Sequence, residues 1–237
     1  MVASCVPTAC RWCCQGLTPH EQSMTALAFL LLSLTAVVAV CDWLVVANNY
    51  RTAEYVLKPL VMVLLIAVAV TLDPSSDFAR VMLIIGLVSS TVGDIALMLP
   101  TDKFLAGLGA FFVAHIFYVV GLVALGISFG GLLFGIVLMA VLALVVGRRI
   151  VQGAVGVDKA LIGPVSAYIA VISLMVASAI GTGRFFAIVG ALLFAASDSL
   201  LGWTRFVSEL PKSRIIVMVT YHLGQVGLVL ALVWYWH

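Results

Sequence analysis

Charge is what this chain of 237 residues has least of: 9% is Asp, Glu, Lys or Arg, against 64% hydrophobic, and the mean hydropathy is +1.25. A soluble domain carries roughly 25% charged residues to cover its surface, so this composition excludes an ordinary water-soluble enzyme. The solvent is lipid. Net charge is only +2, from 12 basic and 10 acidic residues. No basic run of the kind that tracks a phosphate backbone is present, so nucleic acid is not expected as a partner. Cysteine is scarce beyond the N-terminus, where Cys5, Cys10, Cys13 and Cys14 cluster; Cys41 sits in the first apolar stretch. No second cluster or spaced histidine pair completes a four-ligand zinc site, so no metal and no cofactor is expected. Residues 1–23 lack a long apolar core and contain Arg11, His20 and Glu21. They make a poor signal peptide and read as a mobile N-terminal tail ahead of a membrane domain over residues 24–237.

Apolar runs fall at about 24–47, 56–72, 79–99, 104–125, 129–147, 160–181, 185–203 and 214–236. A span takes about 20 residues as a helix and about 10 as a barrel strand, and lipid tolerates no unpaired backbone. The expectation is an all-α polytopic bundle of eight transmembrane helices. Pro59 falls near the start of the second run, where its missing N–H costs nothing. An even number of spans puts both termini on one side. Arg51, Lys58, Lys103, Arg148, Arg149, Lys159, Arg205, Lys212 and Arg214 flank the other side, against Arg11, Arg80 and Arg184. The positive-inside rule makes the richer side cytoplasmic and puts both termini outside.

The chain also resembles itself. Gly86 precedes Asp94 at the same offset as Gly190 precedes Asp198; Ala114-His115 before Gly121 pairs with Tyr221-His222 before Gly227; Lys58-Pro59 pairs with Gly163-Pro164. Three features in one order, offset by four helices, suggest two halves of four helices related by a parallel pseudo-twofold, with Asp94 and Asp198 facing each other near its axis.

Ionisable groups inside spans cost about 2.5–3.5 kcal/mol on insertion scales and usually face a cavity or a partner. Here they are few. Asp94, Asp198, Lys58 and His222 fall in the cytoplasmic half, His115 lies nearer mid-depth, and Asp42 is close to the cytoplasmic end of the first helix beside Trp43. Two carboxylates in one apolar site cannot both ionise cheaply, so such a pair divides into a proton donor and a charged partner. The same pair suits general acid and base work, a proton relay in a transporter, or half of a metal site with His115 and His222.

Taken in order, Lys58-Pro59-Leu60, Gly86 to Gly93-Asp94, Gly109-Ala110-Phe111-Phe112 with Ala114-His115 and Tyr118, Gly190-Ala191 to Ser197-Asp198, and Tyr221-His222 before Gln225 resemble the YhhN-type lysoplasmalogenase family. The resemblance covers about four-fifths of the chain, from the second helix to the eighth. It implies an eight-helix membrane hydrolase that cleaves the vinyl ether bond of lysoplasmalogens, releasing a fatty aldehyde and glycerophosphoethanolamine or glycerophosphocholine. The family's two motif acids map onto Asp94 and Asp198. The implied partners are a lysophospholipid substrate and membrane lipids; nothing in the pattern fixes an oligomeric state.

The chemistry suits those residues. A vinyl ether is inert to base, but protonation at its β-carbon gives an oxocarbenium ion, which water captures as a hemiacetal that collapses to aldehyde and alcohol. That needs a carboxylic acid, a carboxylate to stabilise the cation and activate water, and a site open to lipid and water. Which aspartate takes which role stays open at this level. Lys58 is placed on the headgroup phosphate, and His115, Tyr118, Tyr221, His222 and Gln225 are read as substrate-binding. The competing reading is a small-solute or proton-coupled transporter, suggested by the repeat and the facing acids. A transporter needs polar residues along a path to both sides, and the outer half has almost none.

Overall fold

The structure, a computed structural model, describes residues 24–99, 101 and 103–233, so the cysteine-rich tail and the end of the last apolar run lie outside the described residues. Within them all regular structure is helical. Eight helices are long and apolar enough to cross a membrane: α1 (Ala26–Ala47), α2 (Arg51–Thr71), α3 (Asp77–Met98), α4 (Phe104–Ala124), α5 (Phe129–Val157), α6 (Lys159–Thr182), α7 (Phe185–Phe206) and α8 (Ser213–Leu230). Thr25, Ser76 and Ser128 start α1, α3 and α5 by accepting hydrogen bonds from first-turn N–H groups. Gly183, at φ +67°, ends α6 in the left-handed conformation that a side chain disfavours.

Two helices extend well beyond their apolar runs. Helix α2 begins at Arg51, so Pro59 lies in its interior and leaves the Tyr55 carbonyl without its helical N–H donor. The reason is that Arg51 to Tyr55 are too polar to count as span, yet Arg51, Glu54 and Tyr55 line a cavity within the bundle. Helix α5 does not stop at 147. It passes through a π-helical segment, Ala143–Gly147, and continues to Val157 as an amphipathic stretch in which Arg148 and Arg149 face outward while Ile150 and Ala154 pack near Val165, Trp203 and Phe206. Hydropathy falls where the arginines enter, but the helix persists because one face is still buried.

Packing follows the same scheme in each set of four helices. Helix α3 lies along α4 and α7 along α8; α1 lies along α2 and α5 along α6; α4 then packs on α6 and, less extensively, α8 on α2. Small residues permit the close approaches. A Cβ on Gly190 would lie 2.7 Å from Leu228 N and 2.8 Å from Gly224 O, and one on Gly86 would clash with the Tyr118 ring. Met62, Leu65, Leu87, Met175, Phe194 and Leu228 fill the interior, while Leu30, Val63, Phe134 and Leu144 point outward. An exterior this apolar is what lipid contact requires.

Candidate active site

Asp94 lies near the C-terminal end of α3 with its side chain 1% exposed, and Lys58 Nζ of α2 sits 2.8 Å from its Oδ1. Tyr221 of α8 donates its hydroxyl to Oδ2 at 2.6 Å, and the Lys58 ammonium stands 5.5 Å from the centre of that same ring. Asp198 of α7 accepts a hydrogen bond from the Tyr168 hydroxyl of α6, with His115 Nε2 of α4 3.9 Å from the same carboxylate oxygen. Each aspartate, on the third helix of its four, is therefore held by the second helix of its own four and the fourth helix of the other. Lys58 gives Asp94 a counter-ion. Asp198 has a phenol and an imidazole, and no lysine or arginine pairs with it among the described residues.

The histidines and the amide lie behind this front. His115 Nδ1 is 2.6 Å from the Phe111 carbonyl, which can only accept, so Nδ1 carries the proton and the unpartnered, buried Nε2 presents a lone pair toward Asp198. His222 Nδ1 accepts from Trp43 Nε1 at 3.1 Å, so its proton is on Nε2. Ser90 and Tyr118 are linked at 3.1 Å, and Tyr118 donates to Gln225 Oε1 at 2.8 Å. Tyr118 and Gln225 follow His115 and His222 at the same offset, so this bond joins matching positions of the two sets of helices. Phe194, one turn before Asp198, lies edge-on to Phe111, His115, Tyr118 and Tyr221 and fixes their rings.

Two cavities meet at the acids. An apolar one of about 340 Å³ runs between α4, α5, α6 and α7, lined by residues such as Leu108, Met139, Val146, Ile172 and Leu192, with the π-helical segment in its wall and Tyr168 facing it. A polar one of about 200 Å³ opens at the basic end and is lined by Arg51, Glu54, Lys58, Asp94, Arg214 and Tyr221. Leu97, Phe111, Asp198 and Leu201 line both. Of the residues singled out in the sequence, the structure thus brings Asp94, Asp198, Lys58 and Tyr221 to the polar cavity. His115, Tyr118, His222 and Gln225 line neither cavity and buttress the site from within the bundle. Sequence reading missed Tyr168; its signal was a phenol inside an apolar run, which has to find a partner when buried. It also missed the pair of Glu54 with Arg214, 2.7 Å apart across 160 positions. Among the described residues no three His, Cys, Asp or Glu side chains converge on a metal position.

The family model for YhhN matches residues 53–232, from the first turn of α2 to just past α8. The chain belongs to the YhhN family. The YhhN match takes in Lys58, Asp94, Tyr168, Asp198 and Tyr221, and leaves α1 outside. Curated relatives include lysoplasmalogenase TMEM86B of Mus musculus, 35% identical over 145 residues, which are 61% of this chain and 60% of the mouse protein. The Homo sapiens protein of the same name is 32% identical over 160 residues, 68% of this chain and 66% of its own length. Each match spans less than two thirds of the relative. The membrane protein YhhN of Escherichia coli O157:H7 is 34% identical over 92 residues, 37% of this chain and 44% of that one. No solved structure matches. With eight membrane-length helices and relatives of this kind, this YhhN chain is a multi-pass integral membrane protein.

Proposed function

We propose that the chain is a membrane hydrolase that cleaves the vinyl ether bond of a lysoplasmalogen, releasing a fatty aldehyde and glycerophosphoethanolamine or glycerophosphocholine. The observation that carries this reading is the meeting of an apolar and a polar cavity at Asp198, with Asp94 on the polar side. A lysoplasmalogen has one apolar chain, one polar head, and its vinyl ether where the two join. With the chain among α4 to α7 and the head at the basic end, that bond lies beside the two acids. The name of the mouse and human relatives, lysoplasmalogenase, points the same way.

We assign the two acids different roles. Asp94, against the Lys58 ammonium and under the Tyr221 hydroxyl, is the charged member. Asp198, at the edge of the apolar cavity and without a lysine or arginine beside it among the described residues, holds the proton. Asp198 gives that proton to the β-carbon of the vinyl ether, and the oxocarbenium ion forms in the field of the Asp94 carboxylate. Water adds to the cation and returns a proton to Asp198. The hemiacetal then collapses, its hydroxyl proton passing to the departing glycerol oxygen, so the enzyme ends as it began. We place the basic end of the bundle in the cytoplasm by the positive-inside rule, with the substrate entering from that leaflet.

The test is purified protein in detergent with a panel of lysolipids that carry alkenyl, alkyl or acyl chains. Aldehyde and free glycerophospho-base appear one to one from the alkenyl lipid alone. Release of fatty acid from the acyl lipid, or no release at all, contradicts the reading.

A further inference from the structure

Lys58, the residue placed on the headgroup phosphate from sequence, has a side chain only 12% exposed and an ammonium already paired with Asp94. The mouth of the polar cavity supplies other cations. Arg51 is the first residue of α2 and Arg214 the second of α8, and both line the cavity with Ser213. Arg214 is held in place: one terminal nitrogen donates to Asn49 Oδ1 at 2.9 Å and the other to Glu54 Oε2 at 2.7 Å. That pair neutralises Glu54, which is 8% exposed. Guanidinium carries five N–H donors, so donors remain on Arg214. Arg51 is exposed and forms no ion pair among the described residues. The two helices also start without a side-chain cap, at Tyr50 and Lys212, which adds the positive ends of two helices to the same mouth.

We propose that Arg51 and Arg214 form the phosphate site of the polar cavity, and that the cavity reads the phosphate of a single-chain phospholipid and not its amine. The substrate class rests on the function proposed above; the anion site rests on the cavity and its arginines. Arg51 supplies the unmatched charge. Arg214, oriented by Glu54 and Asn49, supplies a directed donor, and Ser213 lines the cavity with them. Among the described residues the carboxylate that lines the cavity beside Arg51 and Arg214 is Glu54, and it is already paired with Arg214 rather than free to select ethanolamine over choline. Lys58 is then free for its work on Asp94.

The experiment uses saturated ether lipids that cannot be hydrolysed by vinyl ether chemistry: 1-O-hexadecylglycerophosphoethanolamine, its choline counterpart, and 1-O-hexadecylglycerol. Binding to the full chain in neutral detergent is measured by calorimetry. The wild type binds both phospholipids about tenfold or more tightly than the phosphate-free ether, the worth of one charge-assisted hydrogen bond, and binds the two phospholipids alike. In Arg51→Gln the phosphate preference falls to about threefold or less, and the paired change Arg214→Gln with Glu54→Gln, which leaves no lone buried charge, lowers it likewise. An unchanged preference in these variants, or none in the wild type, overturns the proposal. Inorganic phosphate alone binding as tightly as the lipids overturns the lipid assignment. Intact discrimination together with no hydrolysis of any lysolipid sinks the enzymatic reading and leaves the phosphate site standing.

Discussion

Lys58→Met removes the only cation paired with Asp94 among the described residues, and its cost follows from where that pair lies. The carboxylate is 1% exposed, and without Lys58 it keeps the Tyr221 hydroxyl as its remaining side-chain donor among the described residues. Removing one partner of a buried ion pair costs about 3–5 kcal/mol, because an uncompensated charge stays behind. Asp94→Asn costs less, roughly half of that, since the lysine side chain, at 12% exposure, can swing its head into the polar cavity. The double variant Lys58→Met with Asp94→Asn has no charge left to strand, keeps the methylene stem and keeps an acceptor for Tyr221, and returns to within about 1 kcal/mol of wild type. Unfolding titrations in mixed micelles, followed by tryptophan fluorescence, measure all four proteins. The prediction is a coupling of about 3 kcal/mol or more, with the double variant folded, stable and inactive. Single losses that merely add in the double variant refute the pair, and activity in the double variant refutes the catalytic use of Asp94.

Tyr168→Phe deletes the donor that holds Asp198; kcat falls about tenfold or more while unfolding shifts little, as steady-state rates and titrations on the same preparation will show. Gly190→Ala forces a methyl against the α8 backbone at Leu228 and Gly224, and destabilises the protein by about 1–3 kcal/mol in the same titration, with Gly109→Ala, which meets open space, as the neutral control. For sidedness, cysteine is introduced in a background with the native cysteines replaced by serine. Glu209→Cys, in the last basic loop, is labelled by an impermeant thiol reagent only after the membrane is opened, and Asp77→Cys, 81% exposed at the opposite end, is labelled in intact cells. The reverse pattern overturns the orientation.

The spans were legible because lipid enforces them: a run of some twenty apolar residues has few other fates. Their ends were not, because polar residues that line an internal cavity look like loop. The start of α2 at Arg51, Glu54 and Tyr55 is hidden for that reason, whereas the Arg148 to Val157 stretch of α5 is hidden because its outward face carries the arginines while Ile150 and Ala154 stay buried. The acids were legible through rarity and repetition, since so few charges enter the spans and Asp94 and Asp198 share a glycine offset. Their partners were legible only where they too were unusual. Lys58 and Tyr221 stood out in apolar surroundings, whereas Tyr168 and the Glu54–Arg214 pair depend on how helices rotate against one another, which periodicity alone does not set. For Lys58 the sequence shows a lysine near the interface, read there as a phosphate partner, and not which carboxylate it meets; the structure pairs it with Asp94.

The central claim is protonation of a vinyl ether carbon by the aspartate pair, and isotope incorporation reads it directly. Purified protein is given alkenyl lysophospholipid in D₂O, with the aldehyde trapped as it forms and weighed by mass spectrometry. The account predicts one deuterium at the carbon next to the aldehyde carbonyl in the wild type, and no aldehyde from Asp94→Asn or Asp198→Asn proteins that remain monodisperse. Aldehyde without that deuterium, or full turnover in either variant, contradicts it.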